Sequence, residues 1–346
     1  MEAMKKLILS LLVVAALAAC TDKPKPAENL SDENAPVMVS DAIRMLTDSI
    51  AMDSTSAQLY VKRAQAYLAN EQVGAAMIDI NKALQLDPGD VDTYLLLANV
   101  YYMLGDDSNI STTLNKAVDV DPFDSRPLVK LGELNLLQQN YNLAAAYIDK
   151  ALKVETYNPQ AYFAKGMYFM MAQQDTANAL KNFQLAYEQD DKFYDPVEQI
   201  CRIYVVQEPP YTMDYLRNVQ KQFPEQANAR YELALYLQSH GLPEEALQHY
   251  DTLLMANPEN YILLYNKAYV NFVYLHNNEI ALDYFDKALQ VNPDYLDALY
   301  NKGRVLEQMG DYNKAIDVYK QVLNVQTNYQ LAIDAINRIQ NQAELE

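Results

Sequence analysis

The stretch Ala281–Lys314, ALDYFDKALQVNPDYLDALYNKGRVLEQMGDYNK, carries the pattern that decides the fold. Apolar or small residues recur at helical spacing in each half of it: Leu282, Phe285 and Leu289, then Leu299, Gly303 and Leu306. Asn292-Pro293 separates the halves, and Pro suits a turn or the first position of a helix, where its missing N–H has no partner to lose. Neither helix could bury its apolar stripe alone. The stretch therefore predicts a helical pair that packs against neighbouring pairs.

The same spacing recurs over most of the chain with a period of about 34 residues. The repeats are placed at 57–90, 91–124, 125–158, 159–193, 194–226, 227–260, 261–295 and 296–329. A small residue occupies one position of every repeat, where two helices would cross at close range: Ala64, Ala98, Gly132, Gly166, Cys201, Ala234, Ala268 and Gly303. A large apolar residue occupies a second position: Ile80, Leu114, Ile148, Phe183, Leu216, Tyr250, Phe285 and Tyr319.

This period and these positions resemble the tetratricopeptide repeat, whose pattern is W-x2-L-G-x2-Y…A-x3-F…P. The chain departs from the pattern because it has no Trp. Repeat 5 contains Pro209-Pro210 and is the weakest match, so a bend is expected there. The resemblance implies an all-α, right-handed superhelical solenoid of about eight helix-turn-helix repeats across 57–329. Residues 37–56 are expected to form an N-terminal capping helix, and 330–346 a C-terminal capping helix and tail.

The amino terminus has the pattern of a processed targeting segment. Lys5 and Lys6 precede the apolar run Leu7–Ala19, which is too short to span a bilayer comfortably. The sequence Leu-Ala-Ala-Cys ending at Cys20 resembles the lipobox of bacterial lipoproteins, so residues 1–19 are predicted to be a lipoprotein signal peptide and Cys20 the lipidation site. The alternative is an ordinary secretory signal with a chance Cys. Residues 20–36 are polar and Pro-rich and are predicted to be a disordered tether.

Charge and the residue after Cys20 bear on location and partners. Thr21, rather than Asp, favours the outer membrane by resemblance to known lipoproteins, with the body facing the periplasm and the cell surface as the alternative. Loss of residues 1–19 removes Glu2, Lys5 and Lys6, which changes the net charge from −19 to −20. A body this acidic is poorly suited to nucleic acid or to an anionic membrane surface. The predicted contact with the membrane is therefore the N-terminal lipid alone.

No recognised catalytic, nucleotide-binding or metal-binding motif occurs in the sequence. Cys201 fills the small crossing position of repeat 5, which favours packing over reactivity. The three His are spread along the chain without a metal-ligand spacing. The sequence therefore predicts a protein that is not an enzyme and that has no cofactor, no catalytic residue and no metal site.

Relatives of this family use the first helix of each repeat to line a concave groove that takes a peptide or a partner helix. By helical phase, the resemblance places a partner-binding groove at Tyr102, Met103, Phe163, Met167, Met170, Met171, Tyr231, Tyr265, Tyr269, Phe272 and Tyr300. Asn266 and Asn301 share one phase and resemble an Asn ladder that holds a peptide backbone. The alternative is that the aromatic and Met side chains pack against neighbouring first helices and that both Asn are ordinary surface residues.

The predicted function is that of a non-catalytic, lipid-anchored scaffold that binds protein or peptide partners in the periplasm of a Gram-negative bacterium. Its expected setting is outer-membrane, secretion or cell-wall assembly. The alternative is a glycan-binding lipoprotein for nutrient capture, since 28 Tyr could stack on sugars. Sugar sites on such scaffolds come from long insertions and favour Trp, and the sequence has neither.

Overall fold

The computed structural model describes residues 41–343, and this part of the chain contains eighteen α-helices and no strand. The predictions for residues 1–19, for the tether 20–36 and for Cys20 lie outside the described residues. The all-helical fold class is confirmed. The described chain divides into two compact units, one ending at Ile203 and one beginning at Tyr204. That boundary falls in repeat 5.

The first unit begins with a single helix and continues with helical pairs. Its helices are α1 (Asp41–Met52), α2 (Ala57–Ala69), α3 (Val73–Leu86), α4 (Val91–Leu104), α5 (Asp107–Val120), α6 (Ser125–Leu137), α7 (Tyr141–Val154), α8 (Pro159–Tyr168) and α9 (Thr176–Gln189). Helix α10 (Tyr194–Gln207) contains the boundary.

The second unit continues the same alternation and ends with a single helix. Its helices are α11 (Thr212–Gln222), α12 (Ala227–Ser239), α13 (Pro243–Ala256), α14 (Tyr261–Val273), α15 (Asn278–Val291), α16 (Leu296–Gln308), α17 (Tyr312–Val325) and α18 (Gln330–Ala343). The first helix of each of the eight pairs begins at the first residue of a repeat given above. Among residues 41–343 no helix has the length and apolar character needed to cross a membrane.

Short polar side chains explain where many of these helices begin. Asp124, for example, accepts a hydrogen bond from the backbone N–H of Arg126 at the start of α6. Such a cap satisfies one of the N–H groups that have no partner within the helix. The same role falls to Asp90, Asp106, Asn158, Asp175, Asn260 and Asp311. Part of the acidic composition therefore serves local structure.

The two helices of a pair cross at the small residue predicted from the sequence. A Cβ atom on Gly132 would lie 2.7 Å from Cγ1 of Ile148, and the ring of Tyr319 closes on Gly303 in the same way. Ala64, Ala234 and Ala268 are fully buried at the equivalent position. The expectation of a close crossing is confirmed, because a larger side chain there would collide with the second helix.

The turn inside each pair contains one residue in the left-handed backbone region. These residues are Glu71, Gly105, Gln139, Gln174, Glu208, Gly241, His276 and Gly310, with φ between 49° and 80°. Gly adopts this conformation without a Cβ penalty, and the other residue types are strained by it. The turn geometry is thus common to all eight pairs although Gly occurs in only some of them.

Repeat 4 accommodates its extra residue by a local change in helix type. Residues Phe169–Gln173 continue α8 as a π-helical turn, and the backbone N–H of Asp175 then donates to the carbonyl of Phe169 at 2.9 Å. A π turn inserts one residue without ending the helix and often lies at a functional site. Met170 and Met171 lie within this turn.

Candidate binding groove

The first unit contains a cavity of about 440 Å³ bordered by the first helices of repeats 2, 3 and 4. We call it the α4–α6–α8 groove. Its lining includes four residues that the sequence predicted for a partner groove: Tyr102, Phe163, Met167 and Met171. Leu134, Leu136 and Leu137 complete its apolar wall on α6. A largely apolar cavity of this size with a few polar groups is typical of a ligand site.

Equivalent positions on the first helices of three successive repeats build this groove. Asn99, Glu133 and Met167 each follow the small crossing residue by one position, and all three line the cavity. Five positions after the small residue come Met103, Leu137 and Met171. One helical phase therefore presents an amide, a carboxylate and a thioether in neighbouring repeats.

Large apolar side chains at the rim of the groove are open to water. Tyr102 is 63% exposed, Leu137 is 64% exposed and Met171 is 37% exposed. Met103 is also well exposed but does not line the cavity, and Met170 is half-buried and outside it. Of the predicted groove residues of repeats 2 and 4, four therefore line the cavity, whereas Met103 and Met170 do not.

The ring of Phe163, which forms the floor of the groove, is held in place by two other aromatic rings. Its ring centroid lies 5.7 Å from that of Phe183 on α9 and 5.4 Å from that of Phe193. Edge and tilted contacts of this kind are favourable arrangements for aromatic rings. Phe163 is therefore a rigid floor of the groove, whereas Met167 and Met171 have flexible side chains that can adapt to an occupant.

Two charged residues that sequence reasoning did not assign to the groove also line it, Lys130 and Glu133. Burial raises the pKa of the Glu133 carboxyl, the positive charge of Lys130 opposes the shift, and the negative charge of Asp195 adds to it. Glu133 could have been found from the sequence, since it shares the phase of Met167.

The second unit requires a correction to the predicted groove. Tyr231, Asn266, Phe272 and Asn301 are buried, so they do not line an open surface. The Asn266 side chain donates a hydrogen bond to the Tyr231 hydroxyl at 3.0 Å, and burial raises the pKa of Tyr231 to about 12. Asn301 likewise donates to the Tyr265 hydroxyl at 3.3 Å. The two Asn bond to Tyr side chains of the preceding repeat instead of presenting free amides to a peptide.

The remaining predicted residues of the second unit are half-buried in an aromatic cluster. The Tyr265 ring lies 5.1 Å from that of Tyr295 and 6.0 Å from that of Tyr269. Tyr300 packs similarly between Tyr319 and Tyr329. These rings are held by Tyr residues of the same helix, of the second helix of the pair or of the turn before the next helix, so they pack within the protein.

Within residues 41–343 no three His, Cys, Asp or Glu side chains are grouped closely enough to hold a metal ion. Cys201 is buried, with 1% of its surface exposed. A buried Cys in an apolar crossing behaves as a small packing residue.

Comparison with known families decides what the repeats are. Models of the tetratricopeptide repeat match residues 57–90, 129–192, 214–261, 231–273 and 261–339, which together are more than half of the chain. The chain belongs to the tetratricopeptide-repeat family. The resemblance inferred from the small and large positions is thereby confirmed. A search of curated protein sequences found no match to this tetratricopeptide-repeat protein.

The chain is similar to several solved structures at low sequence identity, and two of them share its fold with TM-scores above 0.5. The C-terminal part of a tetratricopeptide-repeat protein from Cytophaga hutchinsonii is 19% identical, with a TM-score of 0.56 over 69% of this chain and 98% of that one. The hetero-tetramer Cut9-Hcn1 of the APC/C is 16% identical, with a TM-score of 0.54 over 86% of this chain and 59% of that one. YrrB, described as having an unusual peptide-binding site, is 24% identical, with a TM-score of 0.45 over 55% of this chain and 97% of that one.

Proposed function

We propose that this tetratricopeptide-repeat protein is a non-catalytic scaffold that holds a segment of a partner polypeptide in the α4–α6–α8 groove. The observation that carries the proposal is the groove itself, an apolar cavity of about 440 Å³ formed by equivalent faces of three first helices. Tyr102 and Leu137 stand at its rim with most of their surface in water. Grouped exposed apolar side chains around a cavity are typical of a binding surface.

A polypeptide suits this site better than a small polar ligand. Most groove residues are aliphatic, aromatic or Met, and these recognise apolar side chains by burial of surface. Met side chains adapt to differently shaped partners, and the rigid ring of Phe163 gives the segment a firm contact. The scaffold role needs no reacting group, because binding alone brings partners together.

We further propose that the protein is tethered to a membrane through a lipid on Cys20, with the body in the periplasm. The lipobox-like sequence before Cys20 and the polar segment after it support this location. In a Cys20→Ser variant the protein should move from the membrane fraction to the soluble periplasmic fraction, while its circular dichroism spectrum stays unchanged. Retention of that variant in the membrane fraction would contradict the proposal.

The groove is tested by placing a charge at its exposed rim. Leu137→Asp should keep the melting temperature, because the residue is 64% exposed and the new carboxylate can reach water. Binding to the physiological partner should fall strongly, because the carboxylate would be buried against an apolar segment. The matched control is Leu143→Asp on the second helix α7, where Leu143 is 55% exposed and outside the groove.

The comparison of the two variants is decisive. Loss of partner binding in Leu137→Asp alone, with both variants folded, supports the groove. Equal binding by Leu137→Asp and Leu143→Asp, measured by calorimetry with purified partner, refutes it.

A further inference from the structure

Glu133 is an unpaired acid in an otherwise largely apolar site. It lines the α4–α6–α8 groove next to Leu134 and Leu137, and its side chain is half-buried. In the described part of the chain its carboxylate has neither a hydrogen bond nor an ion pair. Lys130 lies one helical turn away on the same face and does not form a salt bridge with it. The carboxylate therefore lies half-buried in the groove without a hydrogen-bond partner from the described residues.

An occupant of the groove would bury this carboxylate further. A purely apolar segment would leave the carboxylate buried without a partner, and an acidic segment would add repulsion. A donor that enters with the occupant removes this penalty and turns the charge into a source of specificity. The negative charge of Asp195 close to Glu133 and the net charge of −19 both favour a positive donor.

We propose that the groove recognises an extended peptide segment of polyproline II conformation in which an apolar side chain is followed or preceded, three residues away, by Arg or Lys that binds Glu133. This inference rests on the proposed function and adds to it the chemistry of the partner. The apolar side chain occupies the space between Phe163 and Met167 on α8, and the cation reaches the carboxylate on α6.

The spacing follows from the packing of helices. Neighbouring helix axes lie about 8–10 Å apart, so equivalent residues on α6 and α8 are separated by about that distance. A polyproline II segment advances about 3.1 Å per residue with three residues per turn, so side chains three residues apart point to the same face and lie about 9 Å apart, which covers the step from one helix to the next. Asn99 occupies the same position on α4 and is exposed, and its amide can hydrogen-bond the backbone of the segment one step further on.

The cavity volume favours an extended segment over a helix. A helix with its side chains is about 10–12 Å wide, and a stretch long enough to cross three helices would exceed about 440 Å³ several-fold. A few side chains of an extended peptide fit that volume. Apolar residues and a cation on one face of a partner helix would bind at the rim only.

The test uses three synthetic nonapeptides, acetylated and amidated, with Phe and a variable residue three positions apart and only Ser and Gly elsewhere. The variable residue is Arg, norleucine or Glu. Calorimetry should give the strongest binding for the Arg peptide and the weakest for the Glu peptide, with a Kd for the Arg peptide about tenfold or more below that of the norleucine peptide. Glu133→Gln should remove the advantage of Arg, and Glu133→Lys should make the Glu peptide bind better than the Arg peptide.

Two further variants test whether the order of the peptides depends on charges inside the groove. Glu188→Gln, an exposed change on α9, is the control and should leave the order of the peptides unchanged. Lys130→Gln should strengthen binding of the Arg peptide, because it removes a competing positive charge from the groove.

The outcomes distinguish the inference from the proposed function. Equal binding of the Arg and norleucine peptides, both lost in Leu137→Asp, overturns cation recognition and leaves peptide binding in the groove intact. Binding of the uncharged norleucine peptide that is insensitive to Leu137→Asp overturns both ideas. Absence of binding of the Arg peptide at about 1 mM overturns the inference as well.

Discussion

Gly166 faces the ring of Phe183 so closely that a Cβ atom on residue 166 would lie 2.5 Å from ring carbon Cε1. Helices α8 and α9 cross at this contact. The same Phe183 ring packs against Phe163, which is the floor of the α4–α6–α8 groove. Gly166 therefore allows the two helices to approach closely, and through Phe183 it helps to position the Phe163 ring at the floor of the groove.

Gly166→Ala should destabilise the protein by about 1–3 kcal/mol, because the added methyl group forces the Phe183 ring or the helix to move. Urea denaturation followed by circular dichroism measures the change. Gly74→Ala is the control, since nothing lies within 4 Å of a Cβ there and the residue is helical. It should be neutral or stabilising by up to about 1 kcal/mol. Similar losses in the two variants would contradict the crossing argument.

The fold could be predicted from the sequence because the small position, the large position and the period are local signals that recur eight times. Gly166 and Phe183 illustrate these signals: the small residue on the first helix is needed because the large residue on the second helix packs directly against it. The site could be predicted only in part. Burial of Asn266 and Tyr231 depends on packing between successive repeats, which the phase of one helix does not reveal. Glu133 was missed because a single acidic residue at a helical phase resembles a solvated surface charge.

Gln139 offers a stabilising substitution in the turn between α6 and α7. Its φ of 60° is strained for a residue with a Cβ atom, whereas Gly105 and Gly241 occupy the equivalent positions without that strain. Gln139→Gly should increase the free energy of unfolding by about 0.5–1 kcal/mol, since the relief of strain exceeds the added entropy of the unfolded chain. Gly241→Ala is the converse control and should be destabilising. A loss of stability in Gln139→Gly would refute this account of the turns.

The hydrogen bond from Asn266 to Tyr231 should stabilise the second unit without contributing to partner binding. Asn266→Ala should cost about 1–3 kcal/mol, because it leaves the buried hydroxyl of Tyr231 without this donor. Tyr231→Phe and the double variant complete a cycle whose coupling energy isolates the pair. Partner affinity should stay unchanged in all three variants. Loss of affinity without loss of stability would restore Asn266 as a binding residue.

His249 should make stability depend on pH. Burial lowers its pKa below 6.5, and the positive charges of Arg230 and Arg217 lower it further, while Glu245 opposes them. As pH falls below about 6.5, His249 is protonated in the unfolded chain before it is protonated in the folded protein. The free energy of unfolding therefore decreases between about pH 6.5 and the lowered pKa, and His249 makes it independent of pH above about 6.5. His249→Gln should show a smaller decrease over this range, measured by urea denaturation at a series of pH values. An identical decrease in the variant would exclude His249 as its source.

The central claim, that a partner polypeptide occupies the α4–α6–α8 groove, is tested most directly by site-specific photocrosslinking in living cells. A benzophenone amino acid is placed at position 137 in the groove or at position 143 on α7, both exposed in the free protein. Crosslinked products are identified by mass spectrometry. The account predicts a discrete polypeptide adduct from position 137, reduced by Glu133→Lys, and little or none from position 143. Adducts of equal yield from both positions, or none from position 137, would contradict it.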